Sequence, residues 1–327
     1  MPLRLRSLGW MFLLLLTACS SSKTAEQGAV QAQSTEKQAA VSPQPAESKP
    51  PAADDPVRKV DAERAMQYVK DQVGFGPRPV GSKAHDKIRD YLMEKLKGDD
   101  VVRDDFKEKT PIGDVVMTNI IAKYPGTKDG LIVISSHYDT KYGIKNFVGA
   151  NDGGSSTGLL LEMANQFRGK PNHGPSVWLV FFDGEEDFKF QWGEANTFGS
   201  RHLASLWQKD GTAKKIKSFI LLDMIGDKDL NIENDSNSDK QLRDELLDSA
   251  KSLGYQSYFF DREEGVEDDH NPFQKIGVPV LDIIDFDYGY NNAFWHTAQD
   301  TVDKLSVKSL QIVGDTTLEL VRRINAL

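Results

Sequence analysis

From residue 61 onward, apolar residues recur in two alternating patterns. Residues 61–73 and 82–96 carry them at helical spacing, as do 155–167, 200–207 and 240–253. In 155–167 the residues Leu159, Leu160, Met163 and Phe167 share one face. The last segment, 307–324, sets Leu310, Val313, Leu320, Val321 and Ile324 on one stripe. Between these lie short apolar runs at 115–122, 131–135, 177–182, 218–222 and 278–284, which read as buried strands. Strands alternating with helices predict an α/β fold: a three-layer sandwich around a mostly parallel, mixed central sheet.

In such sheets ligands sit beyond the carboxyl ends of the strands, and the residues found there are unusual. Ile132 to Ile134 lead through Ser135 and Ser136 to His137 and Asp139. Trp178 to Phe182 lead to Asp183, Glu185 and Glu186. Ile220 to Leu222 lead to Asp223, and Leu281 is followed by Asp282, still within an apolar run. One acidic strand end is ordinary, since Asp often caps the helix that follows. Four together, with a histidine among them, repel one another unless a cation is present, so the pattern predicts a divalent metal. The single cysteine, Cys19, excludes an intrachain disulfide and a thiolate metal site. The metal must then be held by His, Asp and Glu.

The chain start has a different character. Arg4 and Arg6 precede an apolar stretch from Trp10 to Leu16, and Leu16-Thr17-Ala18 leads to Cys19. This is the layout of a secretion signal over residues 1–18, and it resembles a bacterial lipoprotein signal. The resemblance implies cleavage before Cys19, lipidation of its sulfur and anchoring in a bacterial envelope membrane facing the periplasm, with Ser20 favouring the outer membrane of a two-membrane cell. Residues 19–56 lack aromatic residues and are rich in Ser, Ala, Gln, Pro, Glu and Lys, as expected of a disordered tether. Residues 57–327 form the expected single catalytic domain. With 39% hydrophobic and 27% charged residues the chain is globular in composition. Its net charge of −9, with no basic block, argues against nucleic-acid binding.

Individual motifs differ in strength. Asp152, in Gly149-Ala150-Asn151-Asp152-Gly153-Gly154, serves equally well as a helix cap or a metal ligand. Phe181-Phe182-Asp183-Gly184-Glu185-Glu186 is more telling, since adjacent glutamates after a buried strand can divide the work of metal ligand and proton carrier. Asp268-Asp269-His270 stands among Glu263, Glu264 and Glu267 and also reads as a solvated acidic loop. His296, after Trp295, is a candidate late ligand, whereas His85, His173 and His202 read as structural or surface residues.

Taken in order, His137-Tyr138-Asp139, Asn151-Asp152, Asp183-Gly184-Glu185-Glu186, Leu222-Asp223-Met224, Asp269-His270 and His296-Thr297 resemble the co-catalytic zinc aminopeptidases. That likeness implies two zinc ions: one on His137 and Asp223, the other on Glu186 and His296, with Asp152 bridging and Glu185 as general base. A closer likeness is to the animal-type glutaminyl cyclases, carried by His137-Tyr138-Asp139-Thr140-Lys141, Phe147-Val148-Gly149-Ala150, the 181–186 string, Phe198-Gly199-Ser200-Arg201-His202, Asp268-Asp269-His270 and Trp295. It implies conversion of N-terminal glutamine to pyroglutamate with release of ammonia. It also implies one zinc on Asp152, Glu186 and His296, Glu185 as proton shuttle, a hydrogen-bonded Asp268–Asp223 acid pair, and Trp192 and Trp295 walling the pocket. Peptide or protein N-termini are the implied partners and a monomer the favoured state. The chain departs from animal cyclases at Asn151 (Thr there), Glu267 (Gln) and Asp282 (His). Beside the cyclase reading stand a two-zinc aminopeptidase and a non-catalytic binding lipoprotein.

Overall fold

The computed structural model describes residues 57–188, 193 and 195–325. The expectations resting on residues 1–56, Cys19 among them, and on Trp192 and residues 326–327 lie outside the described residues. Along the chain come α1 (Ala62–Val73), α2 (Lys83–Lys95), β1 (Asp100–Thr110), β2 (Gly113–Tyr124), β3 (Leu131–His137), α3 (Gly154–Phe167), β4 (Ser176–Phe182) and α4 (Phe198–Asp210). They are followed by β5 (Ile216–Asp223), β6 (Ile232–Asp235), α5 (Lys240–Leu253), β7 (Phe259–Glu264), α6 (Asn271–Gln274), β8 (Val280–Ile284) and α7 (Val307–Ile324).

Among the described residues the main sheet has the order β1-β2-β4-β3-β5-β8. The strands β4, β3, β5 and β8 are parallel, and β2 and β1 close one side antiparallel. Alternation along each central strand builds two apolar layers. Ile132, Ile134, Leu179, Phe181, Ile220 and Leu222 pack with α1, α3, α5 and α7. Val133, Val180, Phe182, Phe219 and Leu221 pack with α4 and α6 through Leu203, Trp207 and Phe273. The three-layer expectation therefore holds, and the predicted stripe of α7 is buried throughout.

Several helices begin where short polar residues cap them: Asp61 accepts from Arg64 N–H, Ser82 from His85 N–H and Ser306 from Ser309 N–H. The expected one-sided α3 is buried on nearly every side, because α1, α7 and the sheet enclose it. Three strands went unanticipated. In β1, Phe106 is the buried residue in an otherwise largely exposed, charged strand, so neither apolar alternation nor an apolar run marks it. The pair β6–β7 is short and polar.

Candidate active site

The site is assembled at the carboxyl ends of the parallel strands. β3 ends on His137, β5 ends on Asp223, and β4 runs into Asp183-Gly184-Glu185-Glu186. Asp152 precedes α3. The residue at the start of that helix is Gly153, with φ +72° and no side-chain cap hydrogen bond. Asp152 is therefore not the helix cap that the sequence also allowed, and its carboxylate is free for other work. A Cβ on Gly153 would lie 2.9 Å from Asp139 O and from the His137 ring, so this close turn admits glycine alone.

Asp152 stands between two histidines. Its Oδ1 is 3.2 Å from His137 Nε2, and its Oδ2 is 3.3 Å from His296 Nε2. His137 Nε2 also lies 3.2 Å from Asp223 Oδ1, and His296 Nε2 lies 3.2 Å from Glu186 Oε2. Two potential metal-holding groups result, Asp152–Glu186–His296 and His137–Asp152–Asp223, sharing Asp152. Asp152 Oδ2 and both Glu186 oxygens are buried without a hydrogen-bond donor. The His296 contacts thus lack hydrogen-bond geometry, and these atoms turn toward a common point. Buried carboxylate oxygens left without donors are costly unless a cation faces them, and a His/carboxylate set suits zinc. The residues fit a metal.

The backbone around these ligands is held by Asp139 and Asn151, which the sequence motifs contain without showing this role, and by Asp300 and Arg78, which they do not contain. Asp139 accepts the N–H groups of Glu185 (3.1 Å) and Glu186 (3.3 Å). Asp300 accepts those of Asn151 (2.8 Å) and Asp152 (3.1 Å), and also the Tyr288 hydroxyl (2.8 Å). Asn151 ties the same loop to the end of β5 through Met224 O and Gly226 N. Fully buried Arg78 donates to Tyr138 O, Val148 O and Gly149 O. An Asp or Arg that serves mainly backbone atoms shows no spacing signal. Asp300 and Arg78 become legible only when the loops meet.

A cavity of about 230 Å³ opens beside the ligands, lined by Asp152, Glu185, Glu186, Asp223, Asp268 and His296, with Ile284, Phe286 and Trp295 as its apolar wall. Trp295 stacks on His296 with ring centroids 4.0 Å apart and meets Phe286 edge-on at 5.0 Å. Glu185 sits 3.7 Å from His137 Nδ1. Burial, with the charges of Asp268 and Glu186, pushes its carboxyl well above the ordinary value, against the pull of His137. Burial and the neighbouring Asp223 and Asp269 likewise hold Asp268 well above the usual carboxylate range. Burial disfavours a charged His296, but Glu186 and Asp152 outweigh it and carry it to about 9. These shifts are what a crowd of anions produces around sites meant for a cation, and a bound ion reverses their sign.

The sequence expectations fare unequally. Asp152, Glu185, Glu186, Asp223, Asp268, Trp295 and His296 meet at one cavity, and His137 adjoins it through Asp152 and Glu185. The Asp268–Asp223 hydrogen bond is not among those of the described residues. Asp223 Oδ1 instead faces His137 Nε2 and accepts from Met224 N–H, while Asp268 Oδ1 accepts from Asp269 N–H. Asp183 turns away, accepting from His85 Nε2 (2.6 Å) and Thr118 N–H (2.7 Å). Asp282 is no strand-end residue. It is the third of the five residues of β8, and alternation sends its side chain toward His270, 3.6 Å away. Three strands, not four, thus supply the site. His85 is buried and structural, and His202 stacks on Phe106.

Comparison with known proteins agrees with this arrangement. Residues 119–321 match peptidase family M28. A glutaminyl-peptide cyclotransferase of Drosophila melanogaster is 31% identical over 72% of this chain and 75% of its own length. The crystal structure of an Acidobacteriales bacterium glutaminyl cyclase superposes with a TM-score of 0.81 at 47% identity, covering 85% of this chain and 98% of the other. A Zn-dependent exopeptidase from Parabacteroides distasonis superposes with a TM-score of 0.71 at 26% identity, covering 81% and 99%. The chain is therefore a member of peptidase family M28, on the branch of the glutaminyl-peptide cyclotransferases.

Proposed function

We propose that this protein cyclises the N-terminal glutamine of peptides and proteins to pyroglutamate, releasing ammonia, with one zinc ion held by Asp152, Glu186 and His296. The observation that carries the reading is that this triad opens on a cavity of about 230 Å³ whose lining includes both Glu185 and Trp295. The cavity takes little more than one side chain, which suits an enzyme acting on a terminal residue. Zinc, when bound, supplies a positive charge for the γ-carbonyl oxygen of glutamine.

The remaining chemistry belongs to the protein. Trp295 and Phe286 form an apolar wall that confines the glutamine side chain and excludes water, the competing nucleophile. Holding the α-amine near the γ-carbonyl carbon favours closure of the five-membered ring. As the new C–N bond forms, Glu185 takes a proton from the amine. It then delivers the proton to the departing amide nitrogen as that C–N bond breaks, and ammonia leaves. Glu185 lines the cavity and stands outside the metal-holding group, so its carboxyl is free to carry the proton both ways. Asp139 holds Glu185 and Glu186 through their backbone, so proton carrier and metal ligand share one support.

The test compares ammonia release from Gln-peptides with hydrolysis of Leu-peptides, with zinc quantified on the same sample. Ammonia release with about one zinc per chain supports the proposal, and Leu hydrolysis without ammonia overturns it. A second reading, a two-zinc aminopeptidase, is favoured by the intact His137–Asp152–Asp223 group. Two tightly held zinc ions and peptide hydrolysis are its signature.

For residues 1–56 the proposal draws on the sequence alone: lipidation at Cys19 and a tethered, envelope-anchored enzyme acting on exported substrates. Mass spectrometry of the mature N-terminus tests this, and an unmodified Cys19 refutes it. The oligomeric state is proposed to be monomeric, and light scattering measures it.

A further inference from the structure

The catalytic cavity holds a terminal glutamine and little more, yet the substrate is a chain. Ring closure joins the α-amine to the γ-carbonyl and leaves the α-carbonyl bonded to the next residue. The second and third residues of the substrate therefore lie at the edge of that cavity. A larger cavity, of about 660 Å³, adjoins it, with Glu264 and Phe286 lining both. Phe286 is also the ring that meets Trp295 edge-on, so the apolar wall of the catalytic cavity is the near edge of the larger one.

Two independent features mark the larger cavity as a binding surface. The first is an aromatic ring left in water. Tyr290 lines it and, at 88% exposed, is the most exposed large hydrophobic side chain among the described residues. Hydrogen bonds hold the turn that presents it: Asn292 Oδ1 accepts Tyr288 N–H at 3.0 Å, and Gly289 O accepts Asn292 N–H at 2.9 Å. An exposed ring on a fixed turn gains free energy when an aliphatic stem or a cation covers it.

The second feature is charge. Asp229, Glu264 and Asp287 line the cavity, and Arg262 is the one cation among the described residues of its lining. That guanidinium is already claimed from beneath by the buried Glu233, with Nη2 2.6 Å from Oε1 and Nε 3.3 Å from Oε2. Its contacts to Glu264 (3.4 Å) and Asp287 (3.9 Å) are longer. One cation thus serves three carboxylates, Asp229 adds a fourth, and the cavity keeps an excess of negative charge. Asp227 also lines it, but burial raises its carboxyl, so it is left out of this balance. On the other side of the site the sign is opposite. There Lys141 and Lys145 line a cavity of about 470 Å³ that reaches Trp295 and His296.

We propose that the acidic cavity receives the second and third residues of the substrate and selects lysine or arginine there, the cationic head facing Glu264, Asp287 and Asp229 and the stem lying on Tyr290. The inference rests on the cyclase reading and names the peptides that reading prefers.

The experiment measures ammonia release by the full-chain enzyme from the amidated peptides Gln-Lys-Ala, Gln-Ala-Lys, Gln-Ala-Ala and Gln-Glu-Ala. A lysine at the second or third position lowers KM by about fivefold relative to Gln-Ala-Ala, the scale of an exposed ion pair. Because such contacts are made before and during the reaction alike, kcat changes less than twofold. The preference shrinks in 0.5 M NaCl, which screens exposed charges. In Asp229→Asn/Asp287→Asn the Lys-to-Ala ratio of kcat/KM falls below about twofold, and in Asp287→Lys the peptide Gln-Glu-Ala gains on Gln-Lys-Ala. The ratio is taken within each variant, so a change in the amount of active enzyme cancels. The inference is overturned if both lysine peptides lie within about twofold of Gln-Ala-Ala in wild type, or if the double variant keeps the wild-type ratio. It is overturned equally if Gln-Glu-Ala is the preferred peptide, since the chain then leaves along the lysine-lined side. A wild-type enzyme that releases no ammonia from any of the four refutes the cyclase reading instead, so the two failures are distinct.

Discussion

Glu185→Gln separates catalysis from binding and folding at one residue. The Glu185 side chain is 7% exposed, and its carboxyl stands 3.7 Å from His137 Nδ1. It is not a member of the Asp152–Glu186–His296 group, and the Asp139 contact that fixes this turn uses the backbone N–H of residue 185, which the substitution keeps. Glutamine matches the shape and carries no charge, so it removes a buried carboxyl crowded by Asp268 and Glu186. The fold is expected to lose nothing, and Tm stays level or rises. What disappears is proton transfer, worth about 10²–10⁴-fold in rate, or roughly 3–5 kcal/mol in the barrier. Steady-state ammonia release from a Gln-peptide should show kcat reduced by that factor, with KM nearly unchanged and zinc content equal to wild type. A kcat within about tenfold of wild type refutes the assignment of Glu185 as proton carrier. Loss of zinc refutes the separation of ligand from shuttle.

Chelation with excess EDTA should abolish ammonia release and lower Tm, because the buried carboxylates of Asp152 and Glu186 lose their compensating charge. Calorimetric titration with zinc should restore activity in step with occupancy of the first site, and activity persisting in metal-free protein contradicts the site. Gly153→Ala places a side chain at φ +72° and 2.9 Å from Asp139 O, a cost of about 1–2 kcal/mol in backbone strain alone. Urea unfolding should show at least that loss, and kcat should fall as Asp152 shifts; wild-type behaviour in both refutes the close packing of this turn. His85 is buried and its charged form disfavoured by desolvation, but Asp183 at 2.6 Å outweighs this and raises its pKa. The pair's contribution to stability is therefore full below the unfolded histidine value of about 6.5 and is lost as pH rises through the higher folded value. Tm measured from pH 6 upward should decline more steeply in wild type than in His85→Gln, and parallel curves refute the charge pair.

Much of the site was legible because its ligands interrupt a pattern. His137, Asp223 and the Glu185-Glu186 pair follow apolar runs, and a polar residue at the end of a buried strand is conspicuous. The helices were legible through the spacing of their apolar residues. Strand β1 was not, because an edge strand faces solvent and needs no apolar pattern. Asp282 was misplaced because it was counted with the strand ends on its charge alone, although the apolar run 278–284 continues past it, as β8 does through Ile283 and Ile284.

The amino-acid sequence alone determined the layer order, the strand ends that bear chemistry and the kinds of ligand available, since these follow from local periodicity and side-chain type. Tertiary structure decided which atoms meet. Asp152 is shared by two histidines, Asp183 is claimed by His85, and Asp300 and Arg78 hold the loop between them. Such choices depend on distances between segments far apart in the chain. A carboxylate has the same chemistry in every setting until the fold supplies its neighbours.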